Sequence, residues 1–422
     1  MTHSHSDGSV AIIGLGYVGL PLAVAFAEAG HHVVALDVDA SKVAAVAAGR
    51  SYIEDISSER LAAVREQMTP TTRYADVASV DAIVIAVPTP LTQNREPDLQ
   101  PLLSAGSALA RVLQKGQLVV LESTTYPGTT RDRLAPLLEE SGLRAGTSFN
   151  LAFSPERIDP GRPDFTIRTT PKVVGGLTPS CLERASALYR SVCIEIVSVS
   201  TPEAAELTKL LENIFRSVNI ALVNELAMLC DRMQIDVWEV VEAAATKPYG
   251  FMSFQPGPGL GGHCLPVDPF YLAWKAREYD MQTGFVELAG EVNAAMPRFC
   301  VDKVVRALND ACKPVRDSQV AILGVSYKGG VGDMRESPAI KIMRQLANGG
   351  AQLRYHDDYV AELSEFGLRS QSLDEVLEDA DLVAIVTVHP GVDYERALNQ
   401  APIVVDFRGV TSGSTSKRLV RL

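Results

Sequence analysis

A cysteine and an aspartate lie close together in the segment PGPGLGGHCLPVDP, residues 256–269. Cys264 follows a run of glycines, and Asp268 comes four residues later. Glycine and proline are poor formers of helix and strand interiors, so the segment predicts a loop that presents the thiol. A thiolate presented in this way can attack a carbonyl carbon, and a nearby carboxylate can move the protons that the reaction requires.

The remaining cysteines carry no comparable signal. Each of them falls in a pattern typical of a helix or a strand, and none belongs to a CxxC pair. His263 and Cys264 are adjacent and have no second ligand pair elsewhere, so we expect no metal site. The five cysteines other than Cys264 are Cys181, Cys193, Cys230, Cys300 and Cys312.

A second candidate group lies on a predicted long helix. Lys209, Asn213 and Arg216 are spaced i, i+4 and i+7 and share one helix face. Such a stripe can be an ordinary solvated face. Alternatively, Lys209 and Asn213 could stabilise the oxyanion that forms when a thiolate attacks a carbonyl. Asp268 and Glu156 would then be the candidates for moving protons or activating a water.

The first turn of the chain predicts a dinucleotide site. An apolar run, Val10 to Ile13, is followed by the glycines of GLGYVG and then by an alanine-rich helical pattern. The next strand ends at Asp37, which is placed to accept hydrogen bonds from ribose hydroxyls. An acidic residue there would repel a 2′-phosphate, so we expect NAD and not NADP. The three glycines are Gly14, Gly16 and Gly19.

Further polar residues fall at predicted strand ends. Thr89, Thr124 and Glu156 each follow or close an apolar strand pattern. In open α/β sheets, ligands bind outside the carboxyl ends of the strands. Any one of these residues could be a turn or cap residue, but three beside a dinucleotide turn predict an active-site rim.

The pattern of elements predicts an α/β fold with two Rossmann-like doubly wound domains. They are joined by a long helix that starts near Thr201 and Pro202 and by a helical middle region. Strand and helix patterns resume at 318, but there the first turn lacks the three glycines. We expect domains at 1–200 for NAD, 201–300 for the helices and the cysteine loop, and 301–422 for a second ligand.

Charge and hydropathy exclude several classes of protein. The formal net charge is −12, which argues against a nucleic-acid partner. We find no apolar run of the roughly 18 residues that a membrane helix needs, and no secretory signal. We therefore expect a cytoplasmic protein with no membrane partner.

These motifs resemble the nucleotide-sugar 6-dehydrogenase family (UDP-glucose/GDP-mannose dehydrogenases). The resemblance runs from about Val10 to about Arg408 and includes GLGYVGLP, VPTP, ESTTYPGTT, SPER, ELTKLLENIFRSVNIALVNE, GLGGHCLPVDP, YKGGVGDMRESP and VVDFRG. It implies NAD-dependent, metal-free oxidation of the sugar C6 alcohol to a carboxylate, and a homodimer through the long helix. Cys264 would form a thiohemiacetal and then a thioester.

The resemblance also assigns roles to residues. It implies Lys209 and Asn213 at the oxyanion, with Asp268, Glu156 and Thr124 handling protons and water. The implied cofactor contacts beyond the glycines and Asp37 are Tyr17, Val18, Lys42, Thr89, Thr124 and Arg335. The implied contacts to the UDP-sugar are Glu156, Arg157, Lys209, Asn213, Lys247, Phe254, Gly257, Gly261, Tyr327, Lys328 and Arg408.

The identity of the sugar depends on few residues. In the UDP-glucose branch a lysine commonly precedes the loop aspartate, and here that residue is Val267. The loop, with His263 before the cysteine, resembles the UDP-N-acetylglucosamine branch, while UDP-N-acetylmannosamine and UDP-glucose stay open. Two other functions are considered: a two-electron dehydrogenase, which would have no use for Cys264, and an inactive nucleotide-sugar-binding relative.

Overall fold

A computed structural model describes residues 8–92, 94, 96–158, 165–262, 265–414, 416 and 418–422. The chain forms two compact units. The N-terminal unit comprises Met1–Glu212 and Phe270–Met281, and the C-terminal unit comprises Asn213–Pro269 and Gln282–Leu422. His263 and Cys264, the centre of the predicted cysteine loop, lie outside the described residues.

The N-terminal unit is built on an eight-stranded sheet. Its order is β3-β2-β1-β4-β5-β6-β7-β8, and the pairs are parallel except for β6 with β7. The first six strands follow the order of a dinucleotide-binding Rossmann sheet. The strands are β1 Ser9–Ile13, β2 His32–Leu36, β3 Met68–Thr71, β4 Ala82–Ile85, β5 Leu118–Leu121, β6 Asn150–Phe153, β7 Lys172–Gly176 and β8 Ile196–Val199.

The C-terminal unit contains a second sheet, of five parallel strands in the order β10-β9-β13-β14-β15. Helices α10 and α11 pack on it around a core that includes Met296, Ile322 and Ile342. The strands, with the small antiparallel pair β11–β12, are β9 Gln319–Leu323, β10 Gln352–His356, β11 Glu362–Leu363, β12 Leu368–Arg369, β13 Leu382–Ile385, β14 Val404–Asp406 and β15 Leu419–Arg421.

Helices connect the strands, and several begin at side-chain caps. Asp39, Thr178 and Ser372 each accept a hydrogen bond from a backbone amide in the first turn of the helix that follows. The α-helices are α1 Gly19–Glu28, α2 Ala40–Ala47, α3 Ser58–Ala63, α4 Gln100–Ala110, α5 Ala135–Glu139, α6 Pro179–Tyr189, α7 Pro202–Met233, α8 Val237–Ala245, α9 Asp268–Ala276, α10 Gly284–Asp310, α11 Pro338–Asn348, α12 Leu373–Leu377 and α13 Tyr394–Gln400.

The long helix predicted from residue 201 is present as α7. Thr201 Oγ1 accepts a hydrogen bond from the Ala204 amide at 3.2 Å, and Pro202 is the first helical residue. Proline suits that position because the first amides of a helix have no intrahelical acceptor. A second long helix, α10, runs through residue 300, so the expected domain limit there falls inside a helix.

The two sheets share an internal duplication at the level of single hydrogen bonds. In the first, the Leu15 amide donates to Asp37 Oδ2 at 2.7 Å. In the second, the Val325 amide donates to Asp357 Oδ2, also at 2.7 Å. The neighbours of the two carboxylates differ. His389 Nε2 lies 3.0 Å from Asp357 Oδ2, with both side chains buried, whereas Lys42 Nζ lies 3.3 Å from Asp37 Oδ2. Each aspartate therefore holds the turn after the first strand of its sheet, with a different basic side chain beside it.

Two expectations about local structure are wrong. Cys193 lies in irregular chain between α6 and β8, and Cys312 lies in a turn with φ of 56°, not in a helix or strand. Strands β4, β5 and β6 end at Ile85, Leu121 and Phe153, so Thr89, Thr124 and Glu156 all lie in the loops that follow these strands. Apolar patterns run on into the turns that follow an element, which makes ends harder to place than interiors. Among the described residues, no helix is both long and apolar enough to span a membrane.

Candidate active site

Two glycines of the first turn are required by close backbone packing. Gly14 has φ of +96°, and a Cβ there would lie 2.5 Å from the Ala86 carbonyl oxygen. A Cβ on Gly19 would lie 1.7 Å from the Gly14 carbonyl oxygen. Backbone atoms cannot move aside at low cost, so these two positions accept only glycine.

Gly16 differs because the space around it is open. Apart from its two neighbours in the chain, no described residue has a heavy atom within 4 Å of the place where its Cβ would be. Gly16 precedes α1, whose first amides have no intrahelical acceptor and favour negative charge. Val18 is the N-cap residue, and Tyr17 beside it is 36% exposed. Open space at the start of a helix fits a dinucleotide pyrophosphate.

Asp37 is fixed at the end of β2. Its carboxylate accepts hydrogen bonds from the Leu15 amide at 2.7 Å and the Asp39 amide at 2.9 Å. Lys42 Nζ lies 3.3 Å from Asp37 Oδ2, which brings a second predicted residue to the same point. Carboxylate oxygens have further lone pairs, so Asp37 can still accept from ribose hydroxyls. The residues around the glycine turn therefore fit NAD.

Thr89 and Thr124 meet at the ends of β4 and β5. Thr89 Oγ1 donates to the Thr124 carbonyl at 2.7 Å. The fully buried Tyr271 donates its hydroxyl to the Thr89 carbonyl at 3.0 Å. The structure brings the two predicted threonines together. The sequence analysis missed Tyr271, which lies in α9 far along the chain.

Glu156 is held by the chain from several sides. Its Oε1 accepts from the amides of Arg157 and Ile158 at 2.7 and 2.6 Å, and its Oε2 lies 3.6 Å from Lys172 Nζ. Burial raises the pKa of Glu156, but Lys172, the Ile158 amide and Lys209 outweigh burial and hold the pKa below its ordinary value. Glu156 is therefore ionised at neutral pH.

Lys172 and Glu122 were not predicted from the sequence. They form a buried ion pair, and Tyr189 donates to the other oxygen of Glu122 at 3.0 Å. Burial raises the pKa of Glu122. Burial lowers the pKa of Lys172, yet the carboxylates of Glu122 and Glu156 raise it to about 12. Lys172 begins the apolar strand β7, a place where a pattern gives no sign of a functional charge.

Arg157 is tied to its own unit. Its NH2 lies 2.7 Å from Glu212 Oε1, and its NH1 donates to the Pro171 carbonyl at 2.6 Å. These contacts hold the guanidinium against the N-terminal part of α7. Contact with substrate stays a prediction.

Glu206 is a second buried carboxylate that the sequence analysis missed. It lies one turn before Lys209 on α7 and is fully buried. Its carboxylate accepts from the Gly128 amide at 2.6 Å, the Thr130 amide at 2.8 Å and the Thr130 hydroxyl at 2.7 Å. Burial raises the pKa of Glu206 to about 7 despite these donors. Glu206 thus anchors the segment after Thr124 to the helix that carries the buried Lys209.

In the C-terminal unit, Asn213 and Asp268 are brought together. The Asn213 side-chain amide donates to Asp268 Oδ2, and Asp268 is 2% exposed at the start of α9. Asp268 follows the undescribed Cys264 by four residues, so the chain keeps the two within about 14 Å. Asn213, the predicted oxyanion donor, therefore contacts Asp268, the predicted proton carrier. Asp268 is close in sequence to Cys264, the predicted nucleophile.

The loop 254–262 packs within the C-terminal unit on the residues predicted to bind the UDP half. The Gly257 amide donates to Asn224 Oδ1 at 2.9 Å, and a Cβ on Gly257 would lie 2.7 Å from Arg408 NH1. Phe254 packs edge-on against Phe215, with ring centroids 5.7 Å apart. These contacts bring Gly257 and Arg408 together.

The end of this loop packs on Tyr327. A Cβ on Gly261 would lie 2.7 Å from Tyr327 Cβ, and one on Gly262 would lie 2.9 Å from its ring. The Gly262 amide donates to the Arg335 carbonyl at 2.8 Å. The glycines therefore allow the segment before Cys264 to lie directly on the turn after β9.

Three other predicted basic residues lie in the C-terminal unit. Arg335 forms a two-point ion pair with Asp333, and Lys247 is exposed with its ammonium 5.2 Å from the Tyr249 ring centroid. Lys328 is half-buried, and its carbonyl accepts from the Ser326 hydroxyl at 2.7 Å. Contacts of all three with NAD or substrate stay predictions. No cluster of His, Cys, Asp and Glu suited to a metal ion occurs in the described part of the chain.

Comparison with protein families gives three matches in succession. Residues 8–193 match the UDP-glucose/GDP-mannose dehydrogenase family NAD binding domain, residues 203–295 its central domain, and residues 321–413 its UDP binding domain. The three matches cover most of the chain in the order of the elements described above.

Individual proteins agree with this assignment. The chain is 35% identical to a UDP-N-acetyl-D-mannosamine dehydrogenase of Pyrococcus horikoshii, over 96% of this chain and 99% of the relative. It is 36% identical to a UDP-N-acetyl-D-glucosamine 6-dehydrogenase of Pseudomonas aeruginosa, over 86% of each. The solved UDP-D-ManNAc dehydrogenase from Pyrococcus horikoshii superimposes with a TM-score of 0.90 at 34% identity, over 98% of each chain.

The glycine turn, the two Rossmann-like sheets and the successive domain matches lead to one assignment. The NAD-binding, central and UDP-binding domains are all present, each over its expected elements. The chain belongs to the UDP-glucose/GDP-mannose dehydrogenase family and is an NAD-dependent dehydrogenase of UDP-sugars.

Proposed function

We propose that this enzyme oxidises the C6 alcohol of UDP-N-acetylglucosamine to the carboxylate by way of a thioester on Cys264. The observation that carries the proposal is the contact between Asn213 and Asp268, four residues after Cys264. A two-electron dehydrogenase needs no nucleophile and no amide–carboxylate pair beside one. The arrangement matches an enzyme that must capture an aldehyde and then hydrolyse an ester.

The reaction balances over two oxidations. Bound NAD would accept one hydride in each of them. The Cys264 thiolate adds to the C6 aldehyde to form a thiohemiacetal, whose oxidation leaves a thioester. Water then attacks the thioester, which releases the carboxylate and regenerates the thiol. In sum, one alcohol, two NAD⁺ and one water give one carboxylate, two NADH and three protons.

The described side chains supply the remaining functions. Lys209 and the Asn213 amide would stabilise the oxyanion at C6 during attack by the thiolate and by water. Glu156, ionised and held by two backbone amides, would accept a proton in the N-terminal unit. Thr124, in the loop after the adjacent strand β5, would assist it. Asp268 would accept a proton near the thiol. The proposed UDP contacts are those of the loop 254–262, Tyr327, Lys328 and Arg408, and Lys247 would reach a phosphate.

An N-acetylated sugar is supported by relatives and by the cysteine loop. The relatives at 35% and 36% identity described above are named for UDP-N-acetyl sugars. The loop also has Val267 where a UDP-glucose enzyme commonly has lysine. UDP-N-acetylmannosamine is the second candidate, because the Pyrococcus horikoshii relative bears that name over nearly the whole chain.

A panel of UDP-sugars tests the substrate. With NAD present, kcat/KM is measured for UDP-N-acetylglucosamine, UDP-N-acetylmannosamine and UDP-glucose. We expect UDP-N-acetylglucosamine to have the highest value. A higher value for UDP-N-acetylmannosamine would replace the first candidate by the second, and a higher value for UDP-glucose would overturn both.

Variants of the cysteine test the thioester. Cys264→Ser should lose steady-state formation of the acid, because an oxygen ester is formed and hydrolysed far less readily. Cys264→Ala should still oxidise the alcohol to the aldehyde but stop before the acid. Unchanged turnover of Cys264→Ser to the acid would contradict the mechanism.

A homodimer is proposed through an apolar stripe on α7. Large apolar side chains on this helix are 40–63% exposed and recur every three, four or seven residues, a spacing that places them along one side. Sedimentation velocity should show a dimer for the wild type and a monomer for Leu226→Glu. The stripe consists of Leu207, Leu211, Phe215, Leu222, Leu226, Leu229 and Met233.

We propose three domains in line with the three family matches. Residues 1–200 would bind NAD, residues 201–300 would carry the cysteine loop, and residues 301–422 would bind the UDP half of the substrate. We also propose a cytoplasmic location, because the reaction consumes NAD and a UDP-sugar together and needs a compartment that supplies both. Localisation of a tagged full-length chain by microscopy and fractionation tests this proposal.

A further inference from the structure

A buried lysine bridges two carboxylates at the carboxyl ends of the N-terminal strands. Lys172 is 5% exposed and Glu122 is 1% exposed. The Lys172 ammonium forms an ion pair with Glu122 on one side and lies 3.6 Å from Glu156 Oε2 on the other. It also lies 5.1 Å from the centroid of the Tyr189 ring. The three charged groups come from β7, the end of β5 and the loop after β6.

One carboxylate would be enough to neutralise this lysine. A buried ion pair needs one partner of each sign, and Glu122 already supplies the negative charge. Glu122 has its own second contact, the Tyr189 hydroxyl, on the oxygen that faces away from the lysine. The Lys172 ammonium can therefore also attract Glu156 Oε2, while Glu156 Oε1 accepts hydrogen bonds from two backbone amides.

We propose that Lys172 is a positioning residue for Glu156: clamped between Glu122 and Glu156, its ammonium orients the Glu156 carboxylate and keeps it unprotonated. The proposal rests on the proposed role of Glu156 as a proton acceptor. It assigns to β7 a part in the reaction, although Lys172 need not touch substrate or NAD.

Among the residues that the structure describes, the other charged and titratable groups close to Glu156 are Lys209, Arg157, Tyr189 and Cys193. Lys209 on α7 adds a second positive charge, and Arg157 turns its guanidinium to Glu212 instead. Tyr189 on α6 and Cys193 beyond it are neutral, because burial raises the pKa of both. Lys172 exerts the strongest attraction on the Glu156 carboxylate, ahead of Lys209. Removing it should therefore move the protonation of Glu156 more than any other single substitution here.

The experiment compares Lys172→Met with Glu122→Gln in the full-length enzyme. The readouts are the acid limb of the kcat–pH profile and Tm. In Lys172→Met the midpoint of the acid limb should rise by about 1–3 pH units, because an opposite charge close to a carboxylate lowers its pKa by that much. In Glu122→Gln the midpoint should stay at or below the wild-type value, because a competing carboxylate is gone and the lysine remains. A purely structural pair would lower Tm in both variants and leave both acid limbs in place.

Two more variants separate folding from positioning. Lys172→Met/Glu122→Gln removes both buried charges, so Tm should recover relative to Lys172→Met while the acid limb stays raised. Lys172→Arg keeps the charge and should keep the wild-type acid limb. A double variant with wild-type Tm and a wild-type acid limb would overturn the proposal, as would equal upward shifts in Lys172→Met and Glu122→Gln.

Glu156→Gln distinguishes this proposal from the proposed function. If Glu156→Gln keeps wild-type turnover and acid limb, Glu156 is not the proton acceptor and that part of the proposed function fails. If Glu156→Gln loses turnover while Lys172→Met keeps the wild-type acid limb, Glu156 retains its role and only the positioning by Lys172 fails.

Discussion

Asn213 donates its side-chain amide to the carboxylate of Asp268, so the long helix α7 is joined to the residue that begins α9. Asp268 is 2% exposed, and a buried carboxylate is costly without donors. The Asn213 amide therefore supplies a donor that the buried Asp268 carboxylate needs, and the contact orients both side chains. Because the two side chains are hydrogen-bonded to each other, substitution of Asn213 should disturb the orientation of Asp268, and the reverse.

Asn213→Ala should lower kcat for acid formation by about 10²- to 10³-fold, the effect of losing one oxyanion donor. KM for NAD should not change, because the glycine turn lies elsewhere in the chain. The matched control is Asn219→Ala on the same helix, where the side chain donates to the Phe215 carbonyl one turn back. Equal losses in the two variants would indicate damage to the helix and not the loss of a catalytic donor.

Gly16→Ala and Gly19→Ala should separate binding from folding. Gly16 has open space at its Cβ position, so its alanine variant should keep the wild-type Tm while KM for NAD rises by about tenfold or more. Gly19 has a carbonyl oxygen 1.7 Å from that position, so its alanine variant should lose Tm as well. Thermal melts and initial rates at varied NAD provide the comparison. An unchanged KM in Gly16→Ala would place the pyrophosphate somewhere other than this turn.

Glu206 should make stability depend on pH. Its pKa is raised from 4.5 to about 7, so between these values the folded chain binds more protons than the unfolded chain. The contribution of Glu206 to the free energy of unfolding is therefore fully present below pH 4.5 and is lost as pH rises through about 7. This shift in the pKa of Glu206 corresponds to a change of about 3 kcal/mol in the free energy of unfolding across that pH range.

Glu206→Gln lacks this titration, and the measurement is Tm of both proteins across the same pH range. The Tm of the wild type relative to the variant should fall steadily as pH rises. A constant difference in Tm would show that Glu206 keeps an ordinary pKa in the folded enzyme.

Gly262→Ala should impair the cysteine loop. Gly262 lies two residues before Cys264 and has φ of +87°. A methyl group on Gly262 would lie 2.9 Å from the Tyr327 ring. Displacing a nucleophile by about 1 Å can cost about 10²-fold in rate, so we expect a loss of that order in kcat. Gly367→Ala is the control, because Gly367 also has positive φ in the C-terminal unit but open space around it. Similar kcat values for the two variants would contradict a tight fit of the loop on Tyr327.

Regular elements were predictable because their periodicity is local. The glycine turn, Asp37 at the end of β2 and the start of α7 at Thr201 all follow from neighbouring residues. The pairing of Thr89 with Thr124 was also accessible, since both follow strands of one parallel sheet. The second Rossmann-like domain was also predicted, from the strand and helix patterns that resume at 318, and the structure extends the likeness of the two sheets to the bonds of Asp37 and Asp357.

The buried charges were not predictable in the same way. Glu122 and Lys172 are 50 positions apart, and each follows or begins an apolar strand with no motif that marks it. Glu206 contacts Gly128 and Thr130 across 78 and 76 positions. Pairing of this kind depends on which strands and helices become neighbours, and a single sequence read along its length carries no record of that.

The ratio of NADH formed to sugar acid released tests the central claim most directly. It is measured at completion with limiting UDP-N-acetylglucosamine, with NADH read by absorbance and the acid by mass spectrometry or chromatography. A four-electron oxidation through Cys264 predicts two NADH for each acid. One NADH for each oxidised sugar, with the aldehyde as product, would contradict the account, and no NADH with any UDP-sugar would show a binding protein in place of an enzyme.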